Sequence, residues 1–597
     1  MSGHSPASLA YGPQLQENAL GEDGTVRFRL WAPSVDSVAL EIEGQEPQSM
    51  KSEAGGWFLA TARAKAGSRY RFRLPDGLAV PDPASRRQAG DVHDASIVVD
   101  PNAYRWQHPE WRGRPWHEAV VYELHPGAFG GFAGIERRLP ELAALGVTAI
   151  ELMPIADFPG KHNWGYDGVL PYAPDAAYGT PEELKSLVDA AHGLGLMILL
   201  DVVYNHFGPD GAYLHVYAKA FFDEGKHTPW GAAIDFNRPD VGSFFIENAL
   251  MWLNEYRFDG LRFDAVHAIS PPEFLDAMAA SIRCSVAPGR HVHLVLEHEG
   301  NVASHLARGK FDAQWTDDVH HCLHVLLTGE SEGYYEDFQD AARLLARALA
   351  EGFAYQGEVS PHSGKPRGTR SVDLPTTAFV ICLQNHDQIG NRALGERLTT
   401  LADPQALRAA TSLLLLVPFI PMLFMGEEFA SRRPFLFFTD HNPELAELVR
   451  RGRRAEFKKF AAFSDPAKRE RIPDPNAAQT FAASVPEFDQ PRTPEGAAAL
   501  TLYRALLAVR FRAVVPRIPG ARSAGAQALS RTAVHARWTM GDGALLTVAA
   551  NFGPEAVKGE ECPGSLLFES EDGAGKAARH GRLPARATVA FLQESPP

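Results

Sequence analysis

Cysteine is scarce in this chain: four in 597 residues, Cys284, Cys322, Cys382 and Cys562, none of them in a C-x-x-C pair. That excludes a disulfide framework and a zinc knuckle and favours a reducing compartment, the cytoplasm. Basic residues are outnumbered, 58 Lys and Arg against 73 Asp and Glu, leaving a net charge of −15 without long single-sign runs. Nucleic acid and membrane are poor partners for that balance, whereas an uncharged ligand such as a sugar suits it. The amino terminus, MSGHSPASLAYGPQ, lacks the basic and apolar blocks of a secretory signal. The stretch from Leu413 to Met425 is strongly apolar, but Pro418 and Pro421 break it. It falls short of the roughly 18 residues of a spanning helix and reads as a buried helix end running into a buried strand.

What is present is ordinary globular composition, 45% apolar and 22% charged, in a length that suggests roughly three to four domains. The first hundred residues alternate with period two, as in Val26, Phe28 and Leu30, then Val38, Leu40 and Ile42, then Tyr70, Phe72 and Leu74. Short strands between Gly and Pro turns suggest a β-sandwich, ending near residue 105 in the linker-like DPNAYRWQHP. From there short apolar strands alternate with helix-period segments, an α/β pattern. The candidate strands are Ala119–Glu123, Val147–Leu152, Met197–Val203, Gly260–Asp264, His293–Glu297, Phe311–Trp315, Ala378–Leu383 and Pro421–Met425. Leu184, Leu187, Val188, Ala191 and Leu194 share one helical face between them, as do Ile246, Ala249, Leu250 and Leu253. Eight strands with helices between them fit a closed (β/α)8 barrel over residues 106–515.

The Pro-rich stretch Asp465–Pro494 reads as a surface excursion before a helix near Ala497–Arg512, with Leu500, Tyr503 and Leu507 on one face. Alternation returns in Val534–Thr539 and Leu545–Ala550, joined by a turn at Met540 to Gly543. The expected organisation is an N-terminal β-sandwich (1–105), the barrel (106–515) and a small C-terminal antiparallel β-domain (516–597).

Barrel enzymes carry their chemistry at the carboxyl ends of the strands. In Gly260-Leu-Arg-Phe-Asp264, period two puts Arg262 and Asp264 on one face. The arginine lowers the acid's pKa and keeps it ionised, as a glycosidase nucleophile requires, although a structural ion pair has the same pattern. Glu297 ends an apolar strand, a setting that raises a carboxyl towards the range of a general acid. Glu299 has the same parity, so alternation does not separate the two; Glu297 is chosen as the first past the apolar run. Gln384-Asn-His-Asp387 brings His386 and Asp387 into a loop together, and Asp201-Val-Val-Tyr-Asn-His206 ends the third strand in a polar cluster. Polar ends on strands three, four, five and seven of one barrel converge on one mouth. Three carboxylates with no metal-ligand cluster suit glycosidic chemistry. Trp164, Trp230 and Trp315 lie in or beside mouth loops as candidate sugar platforms, with core packing the plainer reading. His320 and His324 flank Cys322 without a second ligand pair nearby, so no metal and no cofactor are expected.

These motifs, DVVYNH at 201–206, GLRFDAVHA at 260–268, LEHE at 296–299 and QNHDQIGN at 384–391, resemble those of the α-amylase superfamily. The resemblance implies Asp264 as nucleophile, Glu297 as acid/base and Asp387 as transition-state stabiliser, with His206, Arg262 and His386 around the bound ring. Amylases usually have Lys-His soon after the nucleophile, whereas Ala265, Val266 and His267 stand here, which argues against plain endo-amylase activity. Asn163-Trp-Gly-Tyr-Asp167 resembles the branching, debranching and trehalose-releasing members, implying a stacking role for Tyr166 with Asp167 beside it. Longer segments, DFPGKHNWGYDGVLPYAP from Asp157, TPWGAAIDF from Thr228, WTDDVHHCLHVLLTGE from Trp315 and FMGEEF from Phe424, are similar to the maltooligosyltrehalose trehalohydrolase family. That family hydrolyses the α-1,4 bond next to a terminal trehalose. The similarity implies Trp230 as a sugar platform and Asp318 and His321 as residues near the trehalose side. The alternatives are a glycogen branching transferase, which shares the sandwich and all three carboxylates, and a non-catalytic glucan-binding protein, which typically lacks one of them.

Overall fold

The structure, a computed structural model, describes residues 10–16, 24–228 and 231–594. Eight parallel strands close into a barrel: β1 (Val121–Leu124), β2 (Ala149–Leu152), β3 (Met197–Val202), β4 (Gly260–Phe263), β5 (His293–Leu296), β6 (Ala313–Trp315), β7 (Phe379–Cys382) and β8 (Ile420–Phe424). Val121 pairs with Met422, which joins the last strand to the first. Each coincides with one of the eight expected segments, with ends that differ by a residue or two. Asp264 and Glu297 are therefore the first residues beyond their strands.

Parallel strands with both faces covered read as near-continuous apolar runs, and these do. One parity faces the surrounding helices, with Ile150, Ile198, Leu261 and Leu294 all buried in the main core. The other fills the barrel: Ala149, Met197, Leu199, Val295, Ala313, Val380 and Met422 form a separate apolar plug in its lower part. Towards the carboxyl ends the same inward parity changes character, to Glu123, Glu151, Asp201 and Arg262, all buried.

The helix Pro181–Gly193 starts at a capping box of Thr180 and Glu183 with proline at its first turn, and buries Leu184, Leu187, Val188 and Ala191. Leu194, expected on that face, lies past the helix end and is 44% exposed. Of the second expected face, Ala249 and Leu253 are buried, in a helix Pro239–Leu250 that continues as a π-helical turn. The apolar run at 413–425 divides as expected into the end of helix Pro404–Leu416 and strand β8.

Two small antiparallel sheets precede the barrel, built around Thr25–Trp31 with Trp57–Arg63 and around Ala39–Ile42 with Arg69–Arg73. They dock on the helix Pro239–Leu250, where Tyr11 meets Phe244 edge-on and Trp57 Nε1 donates to Asp240 Oδ1 at 3.0 Å. After the barrel, a five-stranded antiparallel sheet contains the expected hairpin, Ala533–Thr539 with Leu545–Asn551.

The segment expected as a surface excursion is a packed cover instead. Ile472, Thr480 and Ser484 are buried, Ser484 Oγ accepts from Leu436 N at 2.9 Å, and Phe481 stacks on His162 with centroids 4.1 Å apart. A helix Pro443–Glu456 precedes it that sequence reasoning missed; the residue it buries is Arg453 rather than an apolar stripe. Arg453 Nη2 donates to the carbonyls of Gly390 at 2.7 Å and Arg392 at 3.1 Å, so this helix grips the loop that follows β7 from behind.

Arg510, fully buried at the end of the helix Pro494–Val509, donates to the carbonyls of Leu415, Val417 and Phe419 at 3.0, 2.8 and 2.5 Å. Those are the unpaired carbonyls where Pro404–Leu416 turns into β8. Arg510→Met is expected to strand them and lower stability by about 3 kcal/mol or more, read as a lower urea midpoint, with Arg510→Lys falling between.

Candidate active site

The site is built on one cation. Arg262 points inward from β4, has no solvent exposure, and reaches three carboxylates: Asp201 Oδ2 at 2.7 Å and Asp264 Oδ1 at 2.9 Å from Nη1, and Glu297 Oε2 at 2.7 Å from Nη2. Its planar fork lies 4.1 Å over the Trp315 ring. Only a guanidinium offers this geometry, since an ammonium has no fixed fork. Ala265, directly after Asp264, is in the left-handed region at φ 40°. That conformation costs an L-residue about 1–2 kcal/mol, and here it turns the Ala265 N–H onto Glu297 Oε2 at 2.9 Å. Glu299, the alternative by parity, has an 80% exposed side chain that stands 3.7 Å from His267 and has no contact with Arg262.

A second group stands beside the first. Tyr166 hydroxyl donates to Asp201 Oδ2 at 2.6 Å, and its ring stacks on His386 at 5.1 Å and 24°. His386 is tied to Glu123 through Nδ1, and its Nε2 is 3.5 Å from Asp387 Oδ1. The Asp387 side chain is 37% exposed and accepts from Asn391 Nδ2 at 3.0 Å. His206 Nε2 donates to the Tyr166 carbonyl at 3.0 Å. Asp167 accepts from Asn163 Nδ2 at 2.6 Å and faces His441 at 3.4 Å; against the upward pull of burial, these two partners hold it below its usual range. Beside His206 a cavity of about 260 Å³ is lined by Phe207, Pro209, His215, Lys219 and Phe222.

The structure therefore brings together Asp264, Glu297, Asp387, Tyr166, Asp167, His206, Arg262 and His386. Asp318 is not with them. It has no exposure, pairs with Arg367 at 2.7 Å and accepts from Ala354 N at 2.7 Å, a tie within the fold rather than a mouth group. Its neighbour Asp317 is only partly buried, and its carboxyl is pushed up to about 7 by burial and then by the charges of Glu297 and Asp387. His321 is buried against Tyr334 and Phe338, each with centroids at 4.9 Å. Trp230 lies outside the described residues. Trp164 and Trp315 are wall rather than platform: both are buried, and Trp164 donates Nε1 to the Leu436 carbonyl at 2.9 Å. Gly390 passes so close that a Cβ there would stand 2.0 Å from the Trp164 ring.

Sequence reasoning missed Glu123, Glu151, Asp317 and the 42% exposed ring of Tyr334. For Glu123 and Glu151 a signal exists: each is a charge inside an apolar strand, at the inward parity.

The electrostatics reverse two expectations, for Asp264 and for Glu297. Burial, with the charge of Glu297 adding to it, raises the Asp264 carboxyl well above its usual range in spite of Arg262. At Glu297 the upward pull of burial is outweighed by Arg262 and by the Ala265 N–H, which hold it below. The two directions differ because Glu297 accepts two strong hydrogen bonds and Asp264 one. Burial also raises Asp387, with His386 opposing, and raises Glu151 further with help from Asp201 and Glu123. Among the described residues no group of three or more His, Cys, Asp or Glu is arranged to hold a metal ion, and no helix is long and apolar enough to cross a membrane.

The chain matches the α-amylase catalytic-domain family over residues 99–230 and a domain of unknown function, DUF3459, over residues 521–590. It is 42% identical over 503 residues to a malto-oligosyltrehalose trehalohydrolase of Deinococcus radiodurans, covering 82% of this chain and 81% of that one. Its identity to the enzyme of the same name from Arthrobacter ramosus is 37% over 587 residues, 94% of this chain and 99% of that one. A 1.4 Å crystal structure of a candidate alpha amylase from Salmonella typhimurium has a TM-score of 0.92 at 42% identity, covering 98% of this chain and 100% of that one. Identity at this level over most of both chains, on a closed barrel with its acids at the carboxyl ends, makes this chain a member of the malto-oligosyltrehalose trehalohydrolase family of α-amylase-type glycoside hydrolases.

Proposed function

We propose that this glycoside hydrolase cleaves the α-1,4-glucosidic bond next to the terminal trehalose of maltooligosyltrehalose, releasing trehalose and a maltooligosaccharide, by a retaining mechanism. The observation that carries the mechanism is the Arg262 guanidinium in contact with both Asp264 and Glu297. A pair bridged by one guanidinium leaves little room for the extra water that inverting enzymes seat between their acids.

Asp264 attacks the anomeric carbon while Glu297 gives its proton to the departing glycosidic oxygen, so the bond to trehalose breaks as the bond to Asp264 forms. Glu297, now ionised, takes a proton from water. The water oxygen attacks the same carbon and frees Asp264 as a carboxylate. The chemistry needs a proton on Glu297, against the direction in which Arg262 and the Ala265 N–H pull it; a glycosidic oxygen supplies an acceptor beside Glu297, and Arg262 touches both acids. Asp387 and His386 hold ring hydroxyls, and Tyr166, Asp167 and His206 line the same side. Trp230 remains a sugar platform on resemblance alone, and Asp317 takes the place expected of Asp318.

The division at residues 105 and 515 fits the sheets before and after the barrel. All four cysteines are unpaired, three of them buried, which favours the cytoplasm.

Product chromatography after incubation with maltooligosyltrehalose, and separately with the maltooligosaccharide of equal length, tests the specificity. Free trehalose from the first and little cleavage of the second are expected; α-1,6-linked products point to the branching transferase instead. Asp264→Asn is expected to lose turnover while still binding oligosaccharide by calorimetry, and near-normal turnover overturns the assignment. Glu297→Gln is expected to lower kcat by about 10²- to 10⁴-fold, whereas Glu299→Gln leaves it within about twofold, since that exposed acid has no contact with Arg262.

A further inference from the structure

The two displacements use the charges of Arg262, Asp264 and Glu297, and the site as described leaves one buried acid, Glu123, without a task. Glu123, at the inward parity of β1, is 1% exposed and gives both carboxylate oxygens to one residue. Oε2 accepts the backbone N–H of His386 at 3.2 Å, and Oε1 meets the ring at Nδ1. The ring is held on its face by Tyr166 and edge-on by Trp164, with centroids 5.5 Å apart at 88°. Its other nitrogen, Nε2, is 3.5 Å from Asp387 Oδ1.

A carboxylate only accepts hydrogen bonds. Nδ1 must therefore carry a proton to face Glu123. Where Asp387 is ionised, Nε2 carries one as well, since otherwise its lone pair opposes the lone pairs of Asp387. A neutral imidazole satisfies one of these neighbours and repels the other. We propose that Glu123 is a positioning residue for the hydrolysis: by seizing the backbone and Nδ1 of His386 it aims Nε2–H at Asp387 and so fixes the third carboxylate for the sugar ring. This rests on the assignment of His386 and Asp387 given above.

The charges around the ring support it. Burial alone would lower the His386 ring, but Glu123 and then Asp387 outweigh it and push the ring up to about 9, with Arg262 opposing. The other titratable groups that feel the ring are Glu151, Asp201, Glu297 and the buried His125. Glu123 is the one carboxylate among these that hydrogen-bonds His386 directly. The mouth thus has two cations beneath its acids, and the second exists because of Glu123.

The test reads the ring itself. In the native protein labelled with ¹⁵N-histidine, with the His386 signal assigned by its loss in His386→Gln, the ring is expected to stay charged through about pH 8. A native ring that loses its charge below about pH 7 overturns the proposal without any Glu123 variant. Glu123→Gln, which keeps the shape and removes the charge, is expected to lower the ring's pKa by about one to three units. The basic limb of the kcat/KM profile on maltooligosyltrehalose should move down with it. Glu123→Asp, which keeps the charge on a shorter arm, should restore the limb even where the rate stays low. An unchanged ring pKa and pH profile in Glu123→Gln, with only the melting temperature reduced, reduces Glu123 to a tie in the fold and overturns the proposal. Normal turnover in Asp387→Asn refutes the site reading instead, whatever the ring does.

Discussion

One guanidinium at the floor of the mouth is what the rest of the site depends on. Arg262 sits at the boundary between an apolar plug and a layer of acids, and every acid of the first group is positioned by it. Removing a partner from buried charges of this kind costs about 3–5 kcal/mol, because the remaining charge is left uncompensated. Here three carboxylates would be left. Asp201 shares Nη1 of the fork with Asp264 and also accepts from the hydroxyl of Tyr166, so the Tyr166 ring and Asp264 share one anchor.

Charge balance then explains the protonation pattern. Glu123, Glu151, Asp201, Asp264, Glu297 and Asp387 crowd one mouth around the buried Arg262 and the His386 ring. Burial opposes ionising all of the acids together, and Asp201, Asp264, Glu151 and Asp387 are pushed upward.

The eight strands were legible because a parallel strand covered on both faces has to be written in apolar residues, and their order in the chain is their order in the barrel. Four of the residues that the mouth brings together, His206, Asp264, His386 and Asp387, were legible from strand ends alone. Glu297 against Glu299 was not, because alternation was carried past the point where it applies. β5 stops at Leu296, and the chain turns at His298, whose carbonyl accepts from Asn301 N at 3.0 Å. Asp318 was read from a resemblance that names a segment without saying which of two adjacent acids opens onto the mouth. The helix Pro443–Glu456 went unread for a different reason: it is held by arginine hydrogen bonds and ion pairs, and it buries Arg453 rather than a stripe of apolar side chains.

That helix also separates two kinds of control over the enzyme. The loop bearing Asp387 is gripped at the Gly390 and Arg392 carbonyls by Arg453, and Gly390 is pressed against Trp164 on its other side. The placement of Asp387 is thus partly the property of a segment outside the barrel strands. Changes in that segment can shift where this acid stands while the barrel strands and their own acids stay as they are.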